Sequence, residues 1–187
     1  SEKHGEVSRD LWHKMYPQAA EGKDVPITHV TNGVHAPTWI APALKYIYEK
    51  HIGQNWSETL RDAAAWRAAV EKIPDAEIWN AHLAAKLQLL EVVNRHQSPP
   101  LDPAVLTIGF GRRASTYKRA DLLVSDVARL RAIARTAGRL QVVYAGKAHP
   151  RDEEGKRGIE RIFQARDALR HDVTIAYLED YDMGMAC

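Results

Sequence analysis

Cysteine is almost absent from this 187-residue chain: the single one, Cys187, is the last residue. That excludes a disulfide framework and a thiolate metal cluster, and makes a reducing cytoplasm the expected compartment. Neither charge sign is in excess. Lys and Arg number 26 against 24 Asp and Glu, a formal net charge of +2, so nothing global directs the chain to nucleic acid or to an anionic membrane. Long apolar runs are missing too, none approaching the ~20 residues of a membrane-spanning helix. The nine histidines show no His-x-x-x-His or Cys-plus-His spacing, so no metal is expected. There is no Gly-x-Ser-x-Gly elbow, no Walker phosphate loop and no full Gly-x-Gly-x-x-Gly fingerprint. The first residues lack the basic-then-apolar layout of a leader, and the chain is expected to begin and stop inside a longer protein.

What remains is a composition of 45% hydrophobic and 27% charged residues, ordinary for a soluble domain. The first part, residues 1–98, reads as helical. Val7, Leu11 and Met15 fall at helical spacing and a loop of Pro17, Gly22, Pro26, Gly33 and Pro37 follows. Pro42 opens a helix that ends near Gly53, Ser57 is the expected N-cap of the next, and Asp75 that of a longer helix carrying Ile78, Leu83, Leu87, Leu90 and Val93. Trp39, Trp56, Trp66 and Trp79 are expected in core packing on helix faces. The stretch Ser98-Pro-Pro-Leu-Asp-Pro103 marks a boundary.

From residue 104 to 187 the pattern alternates. Ala104–Phe110 is nearly all apolar, as expected of a strand buried on both faces; a helix is predicted from about Tyr117 to Ala137, a strand over Leu140–Ala145, a charged helix over Asp152–Leu169 and a strand over Val173–Leu178. Strand, helix, strand, helix, strand implies an α/β fold with a parallel sheet, and ligands of such sheets sit beyond the carboxyl ends of the strands.

The loops after Phe110, Ala145 and Leu178 are therefore the ones that carry chemistry. The first, Gly109-Phe-Gly-Arg-Arg-Ala-Ser-Thr-Tyr-Lys-Arg119, holds Arg112, Arg113, Lys118 and Arg119. If a helix starts there, its free N–H groups and dipole would join these cations in an anion site suited to phosphate; a solvated basic patch is the plain alternative. In the second loop Lys147 and His149 could reach a ligand at the same sheet edge, although an acidic helix opening explains His149 more simply. Tyr181 in the third either binds a ligand through its hydroxyl or packs.

Five segments in order carry a resemblance: His4-Gly-Glu-Val-Ser-Arg9, Ile27-Thr-His-Val-Thr-Asn-Gly-Val-His-Ala-Pro-Thr-Trp39, Thr107-Ile-Gly-Phe-Gly-Arg-Arg-Ala-Ser-Thr-Tyr-Lys-Arg-Ala-Asp121, Val143-Tyr-Ala-Gly-Lys-Ala-His-Pro150 and Tyr177-Leu-Glu-Asp-Tyr-Asp-Met183. Together the chain resembles the α-glucan (glycogen, starch or maltodextrin) phosphorylases, and their bacterial and archaeal branch more than the animal muscle type. The resemblance implies two Rossmann-like lobes of the GT-B kind. Residues 1–98 would be a helical segment leading into the C-terminal lobe, and residues 104–187 an incomplete Rossmann-like unit of that lobe.

The activity implied is transfer of the terminal glucose of an α-1,4-glucan to inorganic phosphate, giving glucose 1-phosphate, in a cytoplasmic glycosyltransferase. Glucan and phosphate are then the partners, with no nucleic acid and no membrane; a homo-oligomer is compatible with this. The implied cofactor is pyridoxal phosphate. Carried over by motif position, Arg113 and Lys118 bind the substrate phosphate as catalytic residues, while Arg112, Lys118 and Tyr181 face the cofactor. Asn32 and Gly33 shape a loop. The family's cofactor lysine follows a Gly-rich segment beyond Cys187, so the isolated chain is expected to be inactive. Two other readings stay open: a glycogen-synthase-like sugar-nucleotide transferase, and a non-catalytic phosphate-binding interaction module.

Overall fold

The computed structural model describes residues 1–186; Cys187 lies outside them. Contacts divide the chain into two compact units, Ser1–Ala36 and the remainder from Pro37.

In the first unit α1 (Glu2–Trp12) is opened by Ser1, whose hydroxyl accepts from the His4 amide at 3.4 Å, and a 3-10 turn at His13–Met15 follows it. The face it buries is not the one its apolar spacing predicts. Gly5 is buried against His29, the Arg9 guanidinium donates to the Ile27 carbonyl at 3.0 Å, and His13 Nε2 lies 3.0 Å from the Ala19 carbonyl oxygen. Val7, Leu11 and Met15, the apolar row at helical spacing, are 51%, 72% and 67% exposed. The loop lying against α1 presents carbonyl oxygens, and donors rather than apolar side chains answer them.

One turn, α2 (Ala36–Trp39), stands at the division between the units. In the second unit Pro42 occupies the first turn of α3 (Pro42–His51), where its missing N–H removes no bond. The next helix differs from its sequence reading. Ser57 sits inside a single turn, α4 (Trp56–Thr59), and α5 (Ala63–Val70) is capped instead by Asp62, whose carboxylate accepts from the amides of Ala64 and Ala65 at 2.9 and 3.0 Å. One carboxylate oxygen, Oδ1, on a short stem reaches both orphan donors, so the aspartate wins the cap. Trp56 is buried, its ring centroid 5.3 Å from Tyr48 and 6.4 Å from Trp66. Trp39 and Trp79, expected in core packing, are instead exposed.

Helix α6 (Asp75–Asn94) follows Pro74 and carries Asp75 and Glu77 in its first turn, where they complement the dipole. Its two ends are held differently. Glu77 binds Lys50 at 2.8 Å and His51 at 3.0 Å, tying α6 to α3. Near its other end Leu90 and Val93 pack against Val143, Ala145, Ala176 and Leu178. The Asn94 side chain donates to the Leu101 carbonyl and accepts from its amide, and the buried Gln141 side chain bonds both the amide and the carbonyl of Asp102. Residues 99–103 are thus pinned inside the second unit.

The sheet contains β1 (Leu106–Gly111), β2 (Leu140–Ala145) and β3 (Val173–Leu178), all parallel, in the order β1-β2-β3. Every residue of β2 is buried, because both neighbours and both faces are covered. Its side chains alternate: Val143 and Ala145 meet α6, while Val142 and Tyr144 meet the other layer. That layer is α7 (Val127–Thr136) and α8 (Glu153–Leu169), contributing Leu130, Ala134, Ile162, Ala165 and Leu169. A last turn, α9 (Met183–Ala186), follows β3.

Two expectations fail in this unit. β1 is not buried on both faces; it begins two residues later than expected, pairs only with β2 among the described residues, and leaves Leu106 exposed. Nor does a helix run from Tyr117 to Ala137. The chain makes 3-10 turns at Thr116–Lys118 and Leu122–Val124, and α7 starts only at Val127, capped by Asp126 through the Arg129 amide at 2.9 Å. Four cations are poor material for a helix start, where acidic groups are favoured, and Asp126 is the first residue after them that caps one.

Candidate functional site

Gly111, Ala145 and Leu178 stand in register at the carboxyl ends of the three strands, so the loops that follow leave the sheet side by side. Backbone hydrogen bonds sew them together. The Arg112 amide donates to the Ala145 carbonyl at 3.0 Å, the Ala114 amide to the Lys147 carbonyl at 2.9 Å, and the Gly146 amide to the Leu178 carbonyl at 3.2 Å. The Tyr177 hydroxyl donates to the Gly146 carbonyl at 3.0 Å. Gly146 makes this closeness possible. Its φ is +144°, and a Cβ there would lie 2.1 Å from the Arg112 carbonyl oxygen, so a side chain would need both a strained backbone and a displaced loop.

The first turn of α8 abuts the basic loop in the same way: a Cβ on Gly155 would lie 2.3 Å from the Ala114 carbonyl oxygen. The amino end of α8 is already capped, since the Asp152 carboxylate accepts from the Gly155 amide at 2.9 Å.

Arg112, Arg113, Lys118 and Arg119 all lie on the loop that follows β1. Since α7 begins only at Val127, no α-helix starts beside them within their own loop, and the anion affinity the loop itself can offer rests on the side chains and on loop amides. Among the described residues none of the four has a carboxylate within ion-pair reach. Asp121, the acid nearest in sequence, is taken by Arg161 at 2.7 Å. Lys118 Nζ stands 4.6 Å from the centroid of the Tyr117 ring, a cation–π contact that leaves its charge unneutralised. Arg119 holds a left-handed backbone, φ 52° and ψ 49°, which sharply turns the chain away from Lys118.

Tyr181 reaches this loop from the other side of the site. Its ring lies where a Gly111 side chain would begin, 2.9 Å from the Cβ position that glycine leaves empty. The structure therefore brings Tyr181 against the start of the loop bearing Arg112 and Arg113. His149 is turned to its own loop, its Nδ1 accepting from the Arg151 amide at 3.1 Å.

Three features escaped the sequence reading. Lys147, which had a ligand-reaching role open to it, binds Asp180 at 2.5 Å. That partner holds Lys147 above the usual ammonium range, and Lys147 holds Asp180 below the usual carboxylate range. The Tyr144 hydroxyl and the Ser115 hydroxyl are both buried without a hydrogen-bond partner among the described residues, and burial, with the Asp121 charge second, pushes the Tyr144 phenol up to about 12. The ion pair has no local sequence signature, since it joins residues brought together by separate strands. No three His, Cys, Asp or Glu residues among those described come together as a metal site, and no described helix is long and apolar enough to cross a membrane.

No family model matches the chain. Among curated proteins it is 38% identical over 200 aligned positions to the glycogen phosphorylase of Aquifex aeolicus, a match covering 97% of this chain and 28% of that protein. It is 34% identical over 199 positions to the maltodextrin phosphorylase of Thermococcus litoralis, covering 100% of this chain and 24% of that protein. A glycogen phosphorylase of Mycobacterium bovis is 33% identical over 201 positions, with 98% and 23% covered. The chain thus spans about a quarter of the length of these curated relatives. Over nearly all of its own length it belongs to the family of glycogen and maltodextrin phosphorylases, as a stretch of their longer chains.

Proposed function

We propose that the protein of which this chain is a part is an α-1,4-glucan phosphorylase, and that the loop from Arg112 to Arg119 binds its phosphate. The observation that carries this reading is the loop itself: four cations without a carboxylate partner at the carboxyl end of a parallel strand, within a segment matched to phosphorylases over its whole length. Arginine and lysine left unneutralised at a strand-end loop suit a doubly charged oxyanion. Arg113 and Lys118 would hold the phosphate that attacks the glucan, and stabilise the charge that develops on it as the glycosidic bond breaks.

The donor set also suits a second phosphate, that of pyridoxal phosphate, with Arg112, Lys118 and Tyr181 as the residues that would face it. When bound, that group would supply a proton through its phosphate rather than through its ring. Two phosphates close together repel strongly, and converging cations offset this repulsion. The sheet would belong to a Rossmann-like lobe of a GT-B enzyme, in the cytoplasm. The chain by itself would be inactive.

The test uses the full-length protein with maltodextrin and inorganic phosphate, assayed for glucose 1-phosphate. Arg113→Ala and Lys118→Ala should each lower turnover by on the order of 10²–10³-fold with the fold intact. Turnover unchanged in both would favour a non-catalytic phosphate-binding module, and glucosyl transfer from ADP-glucose without phosphorolysis would favour a sugar-nucleotide transferase.

A further inference from the structure

Lys147 touches both neighbours of its loop, through its backbone on one side and its side chain on the other. Its carbonyl accepts from the Ala114 amide in the basic loop at 2.9 Å, while its ammonium binds the Asp180 carboxylate at 2.5 Å in the loop after β3. Next to Asp180 in sequence is Tyr181, whose ring fills the space beside Gly111. The chain thus closes a ring: Gly111 and the basic loop, Lys147, Asp180, Tyr181, and back to Gly111. Backbone bonds hold the first side of that ring. On the Asp180 side the side-chain contact is the ion pair.

We propose that the Lys147–Asp180 ion pair is a latch that positions Tyr181 against Gly111 and so fixes the wall of the strand-end site, with Lys147 acting as a positioning residue rather than as an anion ligand. The latch itself stands on the geometry; its consequence for phosphate binding rests on the phosphorylase reading. Lys147 is a fifth cation at a site built from four, and its charge is neutralised where theirs is not. An ammonium meant for phosphate would be left without a carboxylate partner.

The latch can be read in the chain as it is. An aromatic ring over Gly111 shifts the Gly111 Hα resonances by its ring current, and Tyr181→Leu should abolish that shift and so identify it. Lys147→Met and Asp180→Asn should each reduce the shift and speed exchange of the Ala114 and Gly146 amides by about two- to fivefold, the range expected for losing a solvent-accessible ion pair. The exchanged pair, Lys147→Asp with Asp180→Lys, should restore both signals. Unchanged Gly111 resonances in the two single variants, or no recovery in the exchanged pair, would overturn the proposal.

Titration with inorganic phosphate, followed through the amides of residues 112–119, then separates positioning from simple electrostatics. Lys147→Met removes a positive charge and Asp180→Asn a negative one, so charge alone would move phosphate affinity in opposite directions. A latch weakens binding in both, by about two- to fivefold. Opposite movements would refute the positioning role. If phosphate shifts no amide in the unaltered chain, the phosphate reading of the loop fails, while the Gly111 resonances still decide the latch.

Discussion

Between β1 and β2 the chain makes two 3-10 turns, swings left-handed at Arg119 and enters α7 only at Val127, whereas between β2 and β3 it enters α8 almost at once and stays helical to Leu169. Both connections join adjacent parallel strands and both pack on the same face of the sheet. They differ in how their charges are used. The second has an acidic opening, Asp152, Glu153 and Glu154, that caps and complements its helix, and the four cations within that helix, Lys156, Arg157, Arg161 and Arg166, all have carboxylate partners. The first opens on four cations that cap nothing and pair with no carboxylate among the described residues. One crossover spends its opening charges on stability, and the other leaves those of its opening loop available.

The largest test of that contrast is in the packing. Leu169, at the end of α8, is fully buried, while Leu122 in the first crossover is 57% exposed. Leu169→Ala should lower unfolding free energy by about 2–5 kcal/mol, and Leu122→Ala by no more than about 0.5 kcal/mol, in urea titrations of the chain. Equal losses would erase the distinction between the two connections. Next comes the cap: Asp152→Ala should lower stability by about 0.5–2 kcal/mol and increase amide exchange over the first turn of α8. A cap variant as stable as the original would show that packing alone starts this helix.

The smallest effect is pH-dependent. The Arg135 guanidinium, assisted by Arg131, holds the Asp172 carboxyl below the usual aspartate range, and so ties α7 to the turn before β3. A native value below the unfolded one adds stability above the ordinary aspartate value of about 4, which is lost as pH falls through the depressed native value. Asp172→Asn should therefore lower the urea midpoint near neutrality yet narrow its gap to the original chain at about pH 3. A gap that stays constant with pH would assign the effect to shape rather than charge.

How much of this was legible in the sequence follows from what each segment is made of. β2, β3 and α8 stand where expected because an uninterrupted apolar run has few ways to be satisfied, and because Asp152 followed by acids leaves little doubt about a helix start. The helix placed at Tyr117 was misplaced because apolar spacing over Leu122, Leu123, Val127 and Leu130 continues across a 3-10 turn; spacing records which residues face inward, not which hydrogen bonds hold them. β1 was expected to be fully covered because an apolar run carries no mark of whether its strand is central or at an edge. The four loop cations could be listed from the sequence, but their lack of carboxylate partners could not, since Asp121 is removed from them by Arg161, forty positions away in the chain. The Tyr181–Gly111 contact was hidden for the same reason.

The inverted face of α1 has a calorimetric consequence. In the unit Ser1–Ala36 only Gly5, Ala19 and Val25 are buried, while directional contacts from Arg9 and His13 to carbonyl oxygens hold the helix to its loop. Heat capacity of unfolding scales with apolar surface newly exposed to water, and this unit has almost none left to expose. Its melting should therefore be broad and nearly invisible as a heat-capacity step, beside the sharp transition of the sheet with its buried β2.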